Sequence, residues 1–150
     1  MPDHRGLQVL DGVKQLLVTN GTWGSNVYLG QAWPLKKSDL PAALIAIGDD
    51  VPISDLGTDN MSFIDSFLSV SVVIRATAKD EATLLEALFE GRKQAHIALM
   101  ADPTLGISFV TDCRYQGAAK PINNDNSDAI ISDYETRWVV RYRMNYLDPG

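Results

Sequence analysis

Tyr134-Glu135-Thr136-Arg137-Trp138-Val139-Val140-Arg141-Tyr142-Arg143-Met144-Asn145-Tyr146 is the stretch that decides the fold class. Tyr134, Thr136, Trp138, Val140, Tyr142, Met144 and Tyr146 take alternate positions, and Glu135, Arg137, Arg141, Arg143 and Asn145 fall between them. A period of two is that of a strand with one face on a core and one in solvent. Tyr134, Trp138, Tyr142 and Tyr146 read as the core-facing side, because aromatic rings contribute most when another layer covers them. Upstream, Phe67 to Ala76 repeats the pattern. Leu68, Val70, Val72, Ile74 and Ala76 point one way and Ser69, Ser71 and Arg75 the other.

Between these strands the period changes. Asp80 stands where a helix N-cap belongs, Glu81 follows in the first turn, and the helix runs to about Ala101, where Asp102-Pro103 ends it. Leu84, Leu88, Gly91, Ala95, Ala98 and Leu99 share one stripe, whose small residues let the helix lie close against a sheet. Ile107 to Tyr115 reads as a strand. Toward the amino terminus, Leu7, Leu10, Val13, Leu16 and Leu17 predict a helix over Arg5 to Thr19, with Gly6 and Gly12 weakening it. Val27 to Ala32 reads as a short strand and Pro34 to Ser38 as a connection. The apolar run Pro41 to Ile47 is expected to be a central strand buried on both faces. Gly48 to Asn60, with Asp49, Asp50, Asp55 and Asp59, reads as a long acidic loop, and Gly117 to Asp133 as a second polar excursion. The order α-β-β-β-α-β-β predicts an α+β two-layer sandwich: a mixed, largely antiparallel sheet of four or five strands with two helices on one face.

With 150 residues, no internal repeat and no linker, the chain is expected to form a single domain. Thirteen Lys and Arg against nineteen Asp and Glu give a net charge of -6, the wrong sign for a protein that neutralises phosphates along nucleic acid. The longest apolar run, Leu40 to Ile47, is far short of the ~20 residues needed to span a bilayer. The amino terminus lacks the charged-then-apolar pattern of a secretory signal, so the chain reads as intracellular with no membrane partner.

Catalytic signatures are sparse. His4 and His96 are the two histidines, and there is no HExxH, GxSxG or phosphate-cradling glycine loop. Cys113 reads as a small buried hydrophobe and His96 as structural. No catalytic residue, metal ligand or cofactor site is expected. Asn124, Asn126 and Asp128, with Glu135 further on, have the look of a calcium loop, but Ala129 stands where its turn needs glycine. Asn124, Asp125 and Asp128 therefore read as a solvated loop, as do the four acidic residues of the 48–60 segment. Arg137, Arg141 and Arg143 form a basic row that in an acidic protein is expected to pair with acidic neighbours across the sheet or a subunit contact. Phe89, Ile97 and Met100 fall beside or opposite the helix stripe, and Val73 and Val139 interrupt polar strand faces, so a protein contact is expected.

The run from about Asp39 to Tyr146 resembles the tail terminator proteins of long-tailed bacteriophages, the minor tail protein U family of lambda-like phages. The likeness lies in Asp39-Leu40-Pro41-Ala42 leading into an apolar strand, the acidic excursion, the alternating strand ending in Arg75-Ala76 and the Asp80 helix closing before Asp102-Pro103. It continues through the strand Phe109 to Tyr115, a polar loop and Trp138-Val139-Val140-Arg141-Tyr142. The resemblance implies a non-enzymatic virion protein, present in the host cytoplasm during assembly. Such a protein forms a homohexameric ring on the tail tube, stops tube growth and provides the head-tail joining surface. Its implied partners are its own copies, the tube protein and head-tail connector proteins, with DNA passing as cargo through an acidic lumen. On this resemblance Asp49, Asp50, Asp55, Asp59, Asn124, Asp125, Asp128, Arg137, Arg141 and Arg143 are candidate contact residues. A neck or connector protein, a metal-dependent enzyme using the acidic loops and a small-ligand binding module are the alternatives that the residues leave open.

Overall fold

Asp80 accepts hydrogen bonds through its carboxylate from the Thr83 backbone N–H at 2.8 Å and the Thr83 hydroxyl at 2.9 Å, and so starts the longer helix where its sequence predicts. The computed structural model describes residues 4–30, 40–53, 63–126 and 129–145. Within them the elements run α1 (Arg5–Asn20), β1 (Val27–Leu29), β2 (Ala42–Pro52), β3 (Phe63–Ala78), α2 (Glu81–Met100), β4 (Val110–Ala118), β5 (Ile122–Asn126) and β6 (Ala129–Asn145). The fold is α+β, with two helices on a mixed sheet.

The strand order is β1-β2-β3-β6-β4, with β5 also on β6. β1 lies parallel to β2, and the remaining pairs are antiparallel. β3 and β6 form the spine, paired without a break from Phe63↔Asn145 to Ala78↔Ile130. The other edge of β6 is shared in succession by β4, opposite Thr136 to Tyr142, and β5, opposite Ala129 to Asp133. The apolar run is therefore not central: β2 is second from one edge and β3 takes the middle. Two-faced burial lasts only from Ala42 to Ile45, and Ile47 is 59% exposed. The strands also outrun their predicted ends. Gly48 to Pro52, expected in the acidic loop, continues β2; the second polar excursion contains β5 and the start of β6, which pair antiparallel from Ile122↔Asp133 to Asn126↔Ala129. Polar side chains hid these extensions, because backbone pairing to a long neighbour, not burial, holds them in the sheet.

The buried stripe of α2 is Leu84, Leu88, Gly91, Ala95, Ala98 and Leu99, as the helical period predicts. A Cβ on Gly91 would run into the Ile74 side chain of β3, so this glycine sets how near helix and sheet lie. In α1 the period holds and the phase differs: Gly6, Val9, Val13 and Leu17 are buried, whereas Leu7 is 44% exposed. Gly12 admits the Leu105–Ile107 turn, whose side chains a Cβ would touch. Both helices contribute to one cluster with Leu68, Val70, Val72, Ile74, Trp138, Val140 and Tyr142. Met100 leans on that cluster instead of standing free, while Phe89 and Ile97 are half exposed, as expected. The core also contains one satisfied polar chain: the Trp138 indole N–H donates to Thr136 Oγ1 at 3.0 Å, and that hydroxyl donates to the Val72 carbonyl at 2.7 Å.

Candidate functional site

The face of the sheet away from the helices holds most of the describable candidate residues, and strand alternation puts them there. Arg137, Arg141 and Arg143 are at odd positions of β6, opposite Ser71, Phe67 and Asp65 of β3. Arg141 and Arg143 pair across the sheet with an acid on β3, as expected, whereas Arg137 pairs along its own strand. Arg137 Nε donates to Glu135 Oε1 at 2.7 Å, and Glu135 also accepts from the Ser71 hydroxyl. Arg143 Nε donates to Asp65 Oδ1 at 2.7 Å, and Arg141 Nη2 to Asp65 Oδ2 at 3.1 Å. Farther up, Arg75 and Asp133 form a two-bond fork at 2.7 and 3.0 Å.

Asp65 is the centre of this arrangement, with its side chain only 4% exposed. The hydrogen bonds from Arg143 hold its carboxyl below the ordinary value against the opposing pull of burial, and Arg141 adds to the depression. The sequence pattern missed Asp65 because the alternation was read from Phe67 onward. The signal was nevertheless present, since Asp65 continues the same odd-numbered face.

Beside Asp65 the surface dips into a shallow hollow lined by Phe67, Asp112, Arg114, Val139 and Arg141. Three strands build it, and a bulge in β4 sets its rim. The register steps from Val110↔Tyr142 to Asp112↔Arg141, so Thr111 is extra, Val110 faces the core, and both Asp112 and Arg114 face the open side. Arg114 Nε donates to Asp112 Oδ2 at 2.9 Å, yet its side chain remains 79% exposed. Phe67 is 40% exposed, and the Arg141 guanidinium lies 5.9 Å from its ring centroid. Arg141 Nε is buried with no hydrogen-bond partner, leaving one donor of this guanidinium unsatisfied.

The acidic candidates separate. Asp55, Asp59 and Asp128 lie outside the described residues, and only the backbone of Asn124 and Asp125 is described, on β5. Asp49 and Asp50 are on β2 and do different things. Between Ile47↔Val70 and Asp50↔Leu68 the strand gains a residue, which reverses its facing. Asp50 thereby turns to the helix side, where it accepts a hydrogen bond from the Tyr142 hydroxyl at 2.6 Å. Burial first, and Asp50 second, push the Tyr142 phenol pKa up. Asp49 sits in the bulge, exposed, with no hydrogen-bond or ion-pair partner among the described residues. Exposed Ile47 and Val51 flank it at 59% and 53%.

Cys113 is buried, and burial followed by nearby Asp112 pushes its thiol up to about 12. His96 contacts Tyr115 and Trp138 by its ring, at 5.8 and 5.7 Å between centroids. Among the described residues no three His, Cys, Asp or Glu side chains are grouped to hold a metal, and no helix is long and apolar enough to cross a membrane. No protein-family model and no curated protein matches the chain. Among solved structures, a chain from the virion of a native gene transfer agent particle is similar to this one at 15% identity and a TM-score of 0.48, over 89% of this chain and 94% of that one.

Proposed function

We propose that this chain is a structural subunit of a phage or phage-like virion, and specifically a tail terminator: a single-domain protein whose copies form a ring on the tail tube, stop its growth and offer the surface that joins the head. The pattern of elements from Asp39 to Tyr146 suggests the reading, and the observation that carries it is a sheet whose two edges are unpaired among the described residues. At one side β1 covers three residues of β2, Ala43 to Ile45, and no described strand pairs with the outer edge of the rest. At the other, β4 and β5 are edge strands. Such edges invite pairing with another chain, and a subunit with two unlike edges makes head-to-tail contacts that close into a ring when the rotation permits. The partners on this reading are further copies of the chain, the tube protein and connector proteins, with DNA as passing cargo and no cofactor. Adding the purified protein to growing tail tubes tests it. Tubes that stop at the length reached on addition, each with a ring at its end by electron microscopy, are the expected result; unaltered tube growth overturns the reading. Binding to a head connector without arrest of tubes is the result that would make it a neck protein instead.

A further inference from the structure

We infer that His4 is an acid-sensitive latch on the first turn of α1: as a neutral imidazole it caps the helix, and on taking up a proton it releases that turn from the sheet. The inference is independent of the terminator reading. His4 stands at the N-cap, and its Nδ1 accepts a hydrogen bond from the Gly6 backbone N–H at 2.9 Å. A backbone N–H can only donate, so Nδ1 carries no proton and the ring proton is on Nε2. His4 is exposed and open to protons from solvent, whereas Gly6 is buried. Protonation gives Nδ1 a hydrogen that points at the Gly6 N–H, and the ring must turn away. A donor on a buried residue is then left without its acceptor, and a cation stands at the positive end of the helix dipole. Both effects oppose the capped turn at low pH.

The turn that His4 starts joins α1 to the far end of the sheet. Arg5 Nη1 donates to the Arg143 carbonyl of β6 at 2.6 Å, and its guanidinium lies 4.6 Å from the ring centroid of Phe109, just ahead of β4. The Arg143 N–H in turn donates to the Phe109 carbonyl. A Cβ on Gly6 would stand 3.1 Å from His4 Nδ1 and 3.9 Å from the Tyr142 hydroxyl, so the cap and this phenol border the same glycine. Among the described residues, the charged and titratable groups around the cap are therefore Arg5 on its own helix, Tyr142 and Arg143 on β6, and Asp50 on β2. The Asp50 carboxylate favours a charged imidazole, but it already accepts the Tyr142 hydroxyl at 2.6 Å. Arg5 opposes one, and the Arg143 guanidinium is held by Asp65 on the other face. Release of the cap frees Arg5 from the Arg143 carbonyl and from Phe109, and loosens the corner where α1 meets the ends of β2 and β6.

Nuclear magnetic resonance of the full-length chain between about pH 8 and about pH 5, where imidazoles titrate, tests the latch. At the upper end the imidazole nitrogen shifts are expected to show Nε2–H and a bare Nδ1. Hydrogen-exchange protection of the Gly6, Leu7 and Gln8 amides, corrected for the intrinsic pH dependence of exchange, is expected to fall roughly fivefold or more as His4 takes up its proton. The direction follows because only the neutral ring accepts: the capped turn is complete at high pH and is lost on acidification. In His4→Asn the side-chain carbonyl caps without titrating, so protection should stay level across the range, and in His4→Ala it should be low throughout. His96, the other histidine, lies against Tyr115 and Trp138, so these α1 amides report His4. Four results overturn the inference: Nδ1 protonated at the upper end, protection unchanged while His4 titrates, the same loss in His4→Asn as in wild type, or full protection in His4→Ala.

Discussion

On the helix-covered face of β6, Tyr134, Thr136, Trp138, Val140 and Tyr142 are all buried, while on the other face of the same strand Glu135, Arg137, Val139, Arg141 and Arg143 all keep contact with solvent. The backbone is common to both, so the difference comes from what each face meets. Against α1 and α2 the side chains interdigitate at fixed spacing, and every atom removed leaves a void. On the open face, charges meet partners on their own or a neighbouring strand in a medium that screens them. Stability is concentrated on one side of the sheet, and the chemistry available to a partner on the other.

Removing the largest side chain of the covered face is the strongest way to sharpen this contrast. Trp138→Ala is expected to cost roughly 3–5 kcal/mol in urea unfolding, since the residue is 1% exposed. Gly91→Ala tests close approach. Helix propensity alone favours alanine, yet the Cβ meets Ile74, so a loss of about 1–3 kcal/mol is expected, and a gain would show that the helix can move off the sheet.

Asp65 is the place where the comparison could break, because it is a buried charge on the open face. Asp65→Asn is expected to lose about 1–3 kcal/mol at neutral pH. The sign of the pH effect follows from its lowered pKa. The unfolded carboxyl takes up its proton at higher pH than the folded one, so the stabilisation is complete above the ordinary carboxylate pKa of ~3.9 and is lost as pH falls through the folded value. Unfolding curves across pH 2 to 6 should therefore be shallower in Asp65→Asn than in wild type; equal slopes would remove Asp65 from the acid response. At the small end, Arg137→Ala opens a pair whose arginine is 58% exposed, and a change within about 1 kcal/mol is expected in the same assay.

Several elements were legible because their signals are local. The Asp80 cap, the α2 stripe and the alternation of Tyr134 to Met144 each depend on residues a few positions apart, and the helix and strand periods translate directly into faces. Pairing of the basic row with acids was legible too, from charge balance, and the partner Asp65 could have been found by extending the odd-numbered face of β3 two residues upstream of Phe67. In α1 two apolar phases compete, and packing against the sheet chose Val9 over Leu7. Of the candidate contact residues, the arginines and Asp49 fall on exposed or partly exposed strand positions, whereas Asp50 is engaged by Tyr142.

The amino-acid sequence by itself determined the helix-and-strand alphabet, the side of each long strand that seeks a core and the α+β class, because periodicity and capping act within one segment. Tertiary structure alone decided that β3 rather than β2 is central, that polar Gly48 to Pro52 and Ile122 to Asn126 join the sheet, and that bulges in β2 and β4 exchange which side chains face outward. The physical reason is that strand order and register are properties of pairs far apart in the chain. An extra residue on one strand is defined only by the partner it fails to match.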